Sequence, residues 1–258
     1  MPRLRLGDAV LAYDAAGAGA PIVFLHGVGS NRSTWAGQLA EFGRDHLAVA
    51  VDMRGYAESE ADPRTVSLPT FALDVAALID HLGAGPAHVC GLSMGGLVAL
   101  HLWRERRDAV RSLVLCDTFA SHPVAAAGHP KRMAEIEAST MPELARARMP
   151  AVYAPTTDKA IVERGIAVYA KLDKEVYRAA SDEVWLQRLE DVARSVTVRT
   201  LVLVGEHDTI TPPPLSEVLH ALIPKSRLAL IPAAGHLVNE ENPTAFNGLV
   251  REFLYELG

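Results

Sequence analysis

Three residues far apart in this chain have side chains that together could do chemistry: Ser93 in GLSMG, Asp208 in VGEHD and His236 in AAGH. A serine hydroxyl is a weak nucleophile until a neighbouring base takes its proton, and histidine is the side chain whose pKa suits that task. The imidazole in turn needs a carboxylate to fix its tautomer and stabilise its charged form. Such a trio would attack an acyl carbonyl and pass the acyl group on to water.

The Gly-x-Ser-x-Gly pattern alone is weak, because three fixed residues would occur by chance in about one chain in ten of this length. Its context carries more. In AHVCGLSMGGLVALHLW, Ser93 stands between a continuous apolar run of strand length and a helix-like run. A sharp strand-to-helix turn brings the flanking backbones together, so Cβ atoms at 91 and 95 are expected to collide, and glycine removes them. The serine itself would then sit in strained backbone, at a cost of about 1 to 3 kcal/mol, and such strain is usually kept where function requires it. The plain alternative is a serine N-cap in a glycine-rich turn.

The elements that must position these residues follow from the apolar pattern. RLRLGDAVLAYD alternates around Gly7-Asp8 and predicts a hairpin. PIVFLH (21–26), HLAVAVD (46–52), AHVCGL (87–92), RSLVLCD (111–117), RTLVLVGEHD (199–208) and SRLALIP (226–232) are continuous apolar runs, the mark of strands buried on both faces. FALDVAALIDHL (71–82) and the stripe from Phe246 to Leu257, started by Asn242-Pro243, read as amphipathic helices. The alternation predicts an α/β fold, a mostly parallel sheet with helices on both faces. One interval breaks the rhythm. Residues 118–198 are alanine-rich and helical in pattern, punctuated by Pro142, Pro150 and Pro155, and read as a helical lid inserted into a core of 1–117 and 199–258.

With strand ends assigned, the base and acid can be chosen. Ten histidines compete. His236 follows the last strand on a loop ahead of the final helix, at the sheet edge that also carries Ser93, where open α/β sheets bind ligands. His26, followed by Gly27-Val28-Gly29, suits holding the loop beside the serine. Asp208, in a glycine-containing turn, is the preferred acid, while Asp117 at the end of its own strand remains open. Glu206 and His207 beside Asp208 do not read as a metal cluster, since alternating side chains at a strand end seldom converge.

Composition narrows the classes. At 49% hydrophobic and 22% charged, the 258-residue chain is globular and long enough for one large core. The net charge of −6 is scattered rather than blocked, which argues against a nucleic-acid partner. Neither an apolar leader nor a membrane-length run occurs, so the expected location is cytoplasmic with no membrane partner. Cys90 and Cys116 read as small buried hydrophobes rather than a disulfide framework or zinc site. GAG (17–19) and GVG (27–29) lack a third glycine, no phosphate-loop sequence is present, and His122 and His129 are spaced too widely for a helical metal pair. No cofactor or metal is expected.

With GLSMG, HGVG, VGEHD and AAGH in this order, the chain resembles the α/β-hydrolase family, and within it 3-oxoadipate enol-lactonase and related small carboxylesterases. The resemblance implies Ser93, Asp208 and His236 as a catalytic triad and the backbone N–H groups of Val28 and Met94 as the oxyanion hole. It implies a cofactor-free hydrolase of a small ester or lactone. DMRGYAES resembles a family loop but has Ala57 where glycine is usual. Arg132, Tyr153, Tyr169, Tyr177 and Trp185 are pocket candidates, although packing is the plainer role for each. Two rivals keep the same residues: a carbon–carbon bond hydrolase or perhydrolase, and a ligand receptor with vestigial turnover. Oligomeric state is not readable.

Overall fold

A computed structural model describes residues 2–257. The hairpin forms as β1 (Arg3–Arg5) and β2 (Ala9–Ala16), antiparallel. The apolar runs become β3 (Pro21–Leu25), β4 (Leu47–Val51), β6 (Ala87–Leu92), β7 (Val110–Cys116), β8 (Thr200–Gly205) and β9 (Ser226–Ile231). Every residue of β3, β6 and β8 is buried, as continuous apolar runs require when both faces are covered. A two-residue strand, β5 (Glu60–Ala61), pairs with β2 and had no periodic signal to announce it. The order is β1-β2-β4-β3-β6-β7-β8-β9. From β4 onward every pairing is parallel, so those strands end at one edge. β3 has β4 on one side and β6 on the other, and this reversal of winding opens a crevice at their C-terminal ends.

The helices of the core are α1 (Ala36–Phe42), α2 (Leu68–Leu82), α3 (Met94–Glu105), α9 (Pro213–Leu222), α10 (Val238–Glu241) and α11 (Pro243–Tyr255). α1 and α11 pack together, and α2 packs on α3. Trp35 binds the first group to the sheet, with its ring 5.0 Å from Phe24 of β3 and 5.9 Å from Phe246 of α11. α2 begins where Ser67 accepts the Thr70 N–H and stops at Gly83 in the left-handed conformation. Cys90 and Cys116 are buried free thiols on adjacent strands.

Five helices lie between β7 and β8: α4 (Pro123–Ala138), α5 (Met141–Val152), α6 (Lys159–Tyr169), α7 (Lys174–Val184) and α8 (Glu190–Arg194). Asp158 and Asp173 cap α6 and α7, and Thr140 with Glu143 forms a reciprocal capping box on α5. Pro142 starts α5 and Pro155 lies in the following loop, but Pro150 does not interrupt the chain: it sits inside the last turns of α5. The end of that turn is tied from outside the helix: Met149 is buried, and the Val152 carbonyl accepts the His236 N–H at 2.8 Å.

Candidate active site

Ser93 takes φ 55° and ψ −116° between β6 and α3, the strained turn that its glycines allow. A Cβ at Gly91 would lie 2.2 Å from the Gly95 carbonyl oxygen, so the backbones do meet as the sequence predicts. Gly95 serves a different contact: its Cβ would strike the Leu25 carbonyl of β3 at 2.2 Å. The turn is clamped on both sides, by the Ser93 N–H donating to the Cys116 carbonyl (2.8 Å) and the Thr118 hydroxyl donating to the Ser93 carbonyl (2.8 Å). The serine side chain makes no capping bond, so the N-cap alternative fails.

Asp208 and His236 come together because two loops meet with no side chain between them. A Cβ on Gly205, at the end of β8, would lie 1.9 Å from the Gly235 carbonyl oxygen. Asp208 Oδ1 accepts the N–H groups of Ile210 (2.8 Å) and Thr211 (3.0 Å), and Oδ2 accepts the Thr211 hydroxyl (2.7 Å). Oδ2 also lies 2.8 Å from His236 Nδ1. Burial raises the Asp208 pKa, but the His236 charge and these hydrogen bonds together outweigh it and bring the carboxyl down to about 2. An ionised carboxylate can only accept, so Nδ1 carries a proton and Nε2 is the ring nitrogen left available for proton exchange.

Asp117, the rival acid, points elsewhere. Its Oδ1 accepts the Gly205 N–H at 2.9 Å, and its Oδ2 has no partner among the described residues. Burial and the nearby Asp208 charge push its pKa well above the ordinary value. It braces the acid turn and does not touch His236.

The HGVG loop is held as His26 suggested. His26 Nε2 accepts the Met53 N–H (3.1 Å), so Nδ1 donates to the Gly27 carbonyl (2.9 Å), and burial lowers its pKa. The Tyr56 hydroxyl donates to the Val28 carbonyl at 3.2 Å. These bonds engage the carbonyls of the loop, while the N–H groups of Val28 and Met94 donate to no described residue. The loop lies against the serine: a Cβ on Gly27 would be 3.4 Å from Ser93 Cβ.

Ser93, Val28 and His236 line one cavity of about 890 Å³, whose remaining wall comes largely from the inserted helices. No hydrogen bond joins the Ser93 hydroxyl to a described residue. Arg132, Tyr153, Tyr169, Tyr177 and Trp185 all face this cavity, so the plainer packing role is not their whole account. His122 lines it too while accepting the Ala125 N–H at the start of α4, and His129 pairs with Asp182 at 2.8 Å. Two site residues were missed by sequence reasoning. Thr211 lies within the acid turn, three residues after Asp208. Glu241 accepts the N–H groups of Gly235 and Leu237 on Oε1 (3.0 Å each) and of Ala154 on Oε2 (2.7 Å), tying the His236 loop to the inserted helices. The run NEEN after His236 was its only signal.

Fold, elbow and loop order define a class, and comparison with known proteins agrees. Residues 22–249 match the model of the alpha/beta hydrolase family, and the chain belongs to that family. It is 27% identical to the "Putative carbamate hydrolase RutD" of Azorhizobium caulinodans, over 100% of this chain and 99% of that protein. A thermophilic esterase from Thermogutta terrifontis, solved with malate bound, superposes with a TM-score of 0.92 at 28% identity, covering 100% of this chain and 99% of the esterase. The enol-lactonase from Burkholderia xenovorans superposes at 0.89 with 27% identity, covering 98% of this chain and 100% of the lactonase. Among the described residues no helix is long and apolar enough to cross a membrane.

Proposed function

We propose that this hydrolase cleaves an ester or lactone of a small organic acid through an acyl-enzyme on Ser93, without a cofactor, and that residues 118–198 act as the lid over the site. The observation that carries the reading is the Asp208–His236 bond of 2.8 Å, whose imidazole opens onto the cavity that Ser93 lines. The names of the similar proteins, an esterase and an enol-lactonase among them, support carbonyl chemistry of this kind.

In the first half-reaction His236 Nε2 takes the Ser93 proton as Oγ bonds to the carbonyl carbon. The resulting oxyanion is received by the N–H groups of Val28 and Met94, the second at the positive end of α3, a type of contact worth about 2.7 to 4 kcal/mol per donor. Collapse breaks the bond to the leaving oxygen, which takes the proton back from the imidazolium; in a lactone the alcohol stays tethered. Water then gives a proton to Nε2, bonds to the acyl carbon, and collapse returns the proton to Ser93 and frees the acid. The bond from Ser93 to Nε2 forms as substrate closes the site.

The test is a screen of esters and lactones of varied acyl size and charge, together with intact-mass labelling by a fluorophosphonate. Ser93→Ala is expected to lose turnover by about 10⁶-fold and to escape labelling while melting as wild type does. Turnover retained in that variant would place the nucleophile elsewhere.

A further inference from the structure

The loop that carries His236 is braced from two directions. Its first residues hang on the acid turn: Glu206 accepts the Ala233 N–H at 3.0 Å, and the His207 N–H donates to the Ala234 carbonyl at 2.8 Å. Ala233 takes φ 55°, a conformation unfavourable to a residue with a Cβ, so the loop does not keep its shape by local preference alone. The next residues hang on the inserted segment. The His236 N–H donates to the Val152 carbonyl at 2.8 Å. Gly235 lies so close that a Cβ there would be 2.6 Å from the Ala154 nitrogen and 2.7 Å from the Val152 carbonyl oxygen. The end of α5 and the His236 loop therefore meet backbone to backbone.

Glu241 spans the same junction. Its Oε1 accepts the N–H groups of Gly235 and Leu237 at 3.0 Å each, one on either side of His236. Its Oε2 accepts the Ala154 N–H at 2.7 Å and the Thr157 hydroxyl at 2.5 Å. All four partners are donors, which the two oxygens of a carboxylate can satisfy at once. With the Val152 bond, the successive N–H groups of 235, 236 and 237 are all engaged, and every one of those bonds runs to Glu241 or to the end of α5. The imidazole that this backbone carries is the one aimed at Asp208.

We propose that Glu241 is a positioning residue for the base, making the placement of His236 conditional on residues 152–157 of the inserted segment. That stretch then belongs to the catalytic frame and does more than cover the site. The effect on rate rests on the Ser93 reading; the effect on the loop does not.

Two substitutions cut the bridge at different points. Glutamine at 241 has one oxygen to offer, and whichever side it serves, its amide nitrogen turns donors toward donors on the other. Thr157→Val is milder: it removes one hydroxyl on the inserted side, keeps a similar shape, and touches neither His236 nor its loop. Hydrogen exchange of the full-length protein, read by mass spectrometry on the peptide carrying residues 235–237, tests the bridge without turnover. Exchange there is expected to quicken in Glu241→Gln and also in Thr157→Val, across the junction. Unchanged exchange at 235–237 in Glu241→Gln, or quickening by Thr157→Val confined to residues 154–157, overturns the proposal.

The kinetic arm uses the best ester from the screen and the rate of fluorophosphonate labelling. Glu241→Gln is expected to lower kcat by about ten- to a hundredfold with KM within about threefold of wild type, the pattern of a reacting group displaced by about 1 Å. Thr157→Val should move in the same direction by less, and labelling should slow in both. A residue that only stabilised the fold would lower the melting temperature and leave kcat per folded molecule unchanged, which refutes the positioning role. Adding Thr157→Val to Glu241→Gln should slow the enzyme little further, because the bridge is already cut; full additivity refutes the coupling. Hydrolysis persisting in Ser93→Ala would instead sink the Ser93 reading and leave the exchange result to decide on Glu241.

Discussion

Replacing Asp208 by asparagine keeps the shape of the side chain and removes its charge, which makes it a sharp test of the proposed relay. Oδ1 accepts two backbone N–H groups, from Ile210 and Thr211, and an asparagine oxygen can keep both. The amide nitrogen must then replace Oδ2, which now accepts from the Thr211 hydroxyl and from His236 Nδ1. A hydroxyl can rotate to become the acceptor. The imidazole cannot, except by moving its proton from Nδ1 to Nε2, and that leaves the nitrogen meant for Ser93 as a donor in place of a base. The expected loss in kcat is about 10⁴-fold, the size found where this change puts a triad histidine in the wrong tautomer. The fold should survive with a smaller penalty. A carboxyl lowered from 3.8 to about 2 contributes roughly 2 to 3 kcal/mol of stability. That contribution is present above the unfolded value of 3.8 and fades as pH falls through about 2. Urea melts at pH 7 should therefore show Asp208→Asn weakened by no more than this. Initial rates on the best ester found in the screen, measured across pH, check the catalytic half. Activity within tenfold of wild type, in protein that melts normally, would refute the relay.

Two further predictions concern stability. Asp117 is buried with a pKa raised well above 3.8, so the folded chain holds a proton that the unfolded chain releases. Its burial costs progressively more stability as pH rises from about that value toward the folded pKa, and Asp117→Asn, whose oxygen can keep the Gly205 N–H, should gain more at pH 8 than at pH 5. Equal gains in urea midpoints at both pH values would contradict this. Ala57 occupies φ 47° on an exposed turn, a conformation that costs a residue with a Cβ more than it costs glycine. Ala57→Gly should stabilise by about 0.5 to 1 kcal/mol after allowing for the greater freedom of glycine when unfolded, readable as a raised melting temperature.

What could be read from the sequence divides along a physical line. Strands buried on both faces must be apolar at every position, so β3, β6 and β8 declared themselves, and their ends fixed where the loops bearing Ser93 and Asp208 emerge. β5 is two residues long and can show no period. Pro150 looked like a breaker because local chemistry says so, yet the bond from the His236 N–H to the Val152 carbonyl and the burial of Met149 hold the turn from outside the helix. The collision that requires Gly95 was likewise assigned to its own turn when the partner is Leu25, on a strand some seventy residues earlier.

The same division runs through the site. Ser93, Asp208 and His236 stand in short stretches whose neighbours betray their geometry, because each loop must make a sharp turn at a strand end. Residues that hold those loops carry no such mark. Glu241 bonds three backbone N–H groups on two segments, and nothing in NEEN distinguishes it from a solvated acid. Arg132 is the extreme case. Glu135, one helical turn along, forms its ion pair with Arg148 and not with Arg132. Trp185, whose ring lies beneath the Arg132 guanidinium, is on a different segment, after α7. The candidate catalytic residues are therefore written in local motifs, while the wall of the cavity is written in tertiary contacts among the inserted helices. For that reason resemblance across the core can be strong while the substrate remains a matter for the cavity wall.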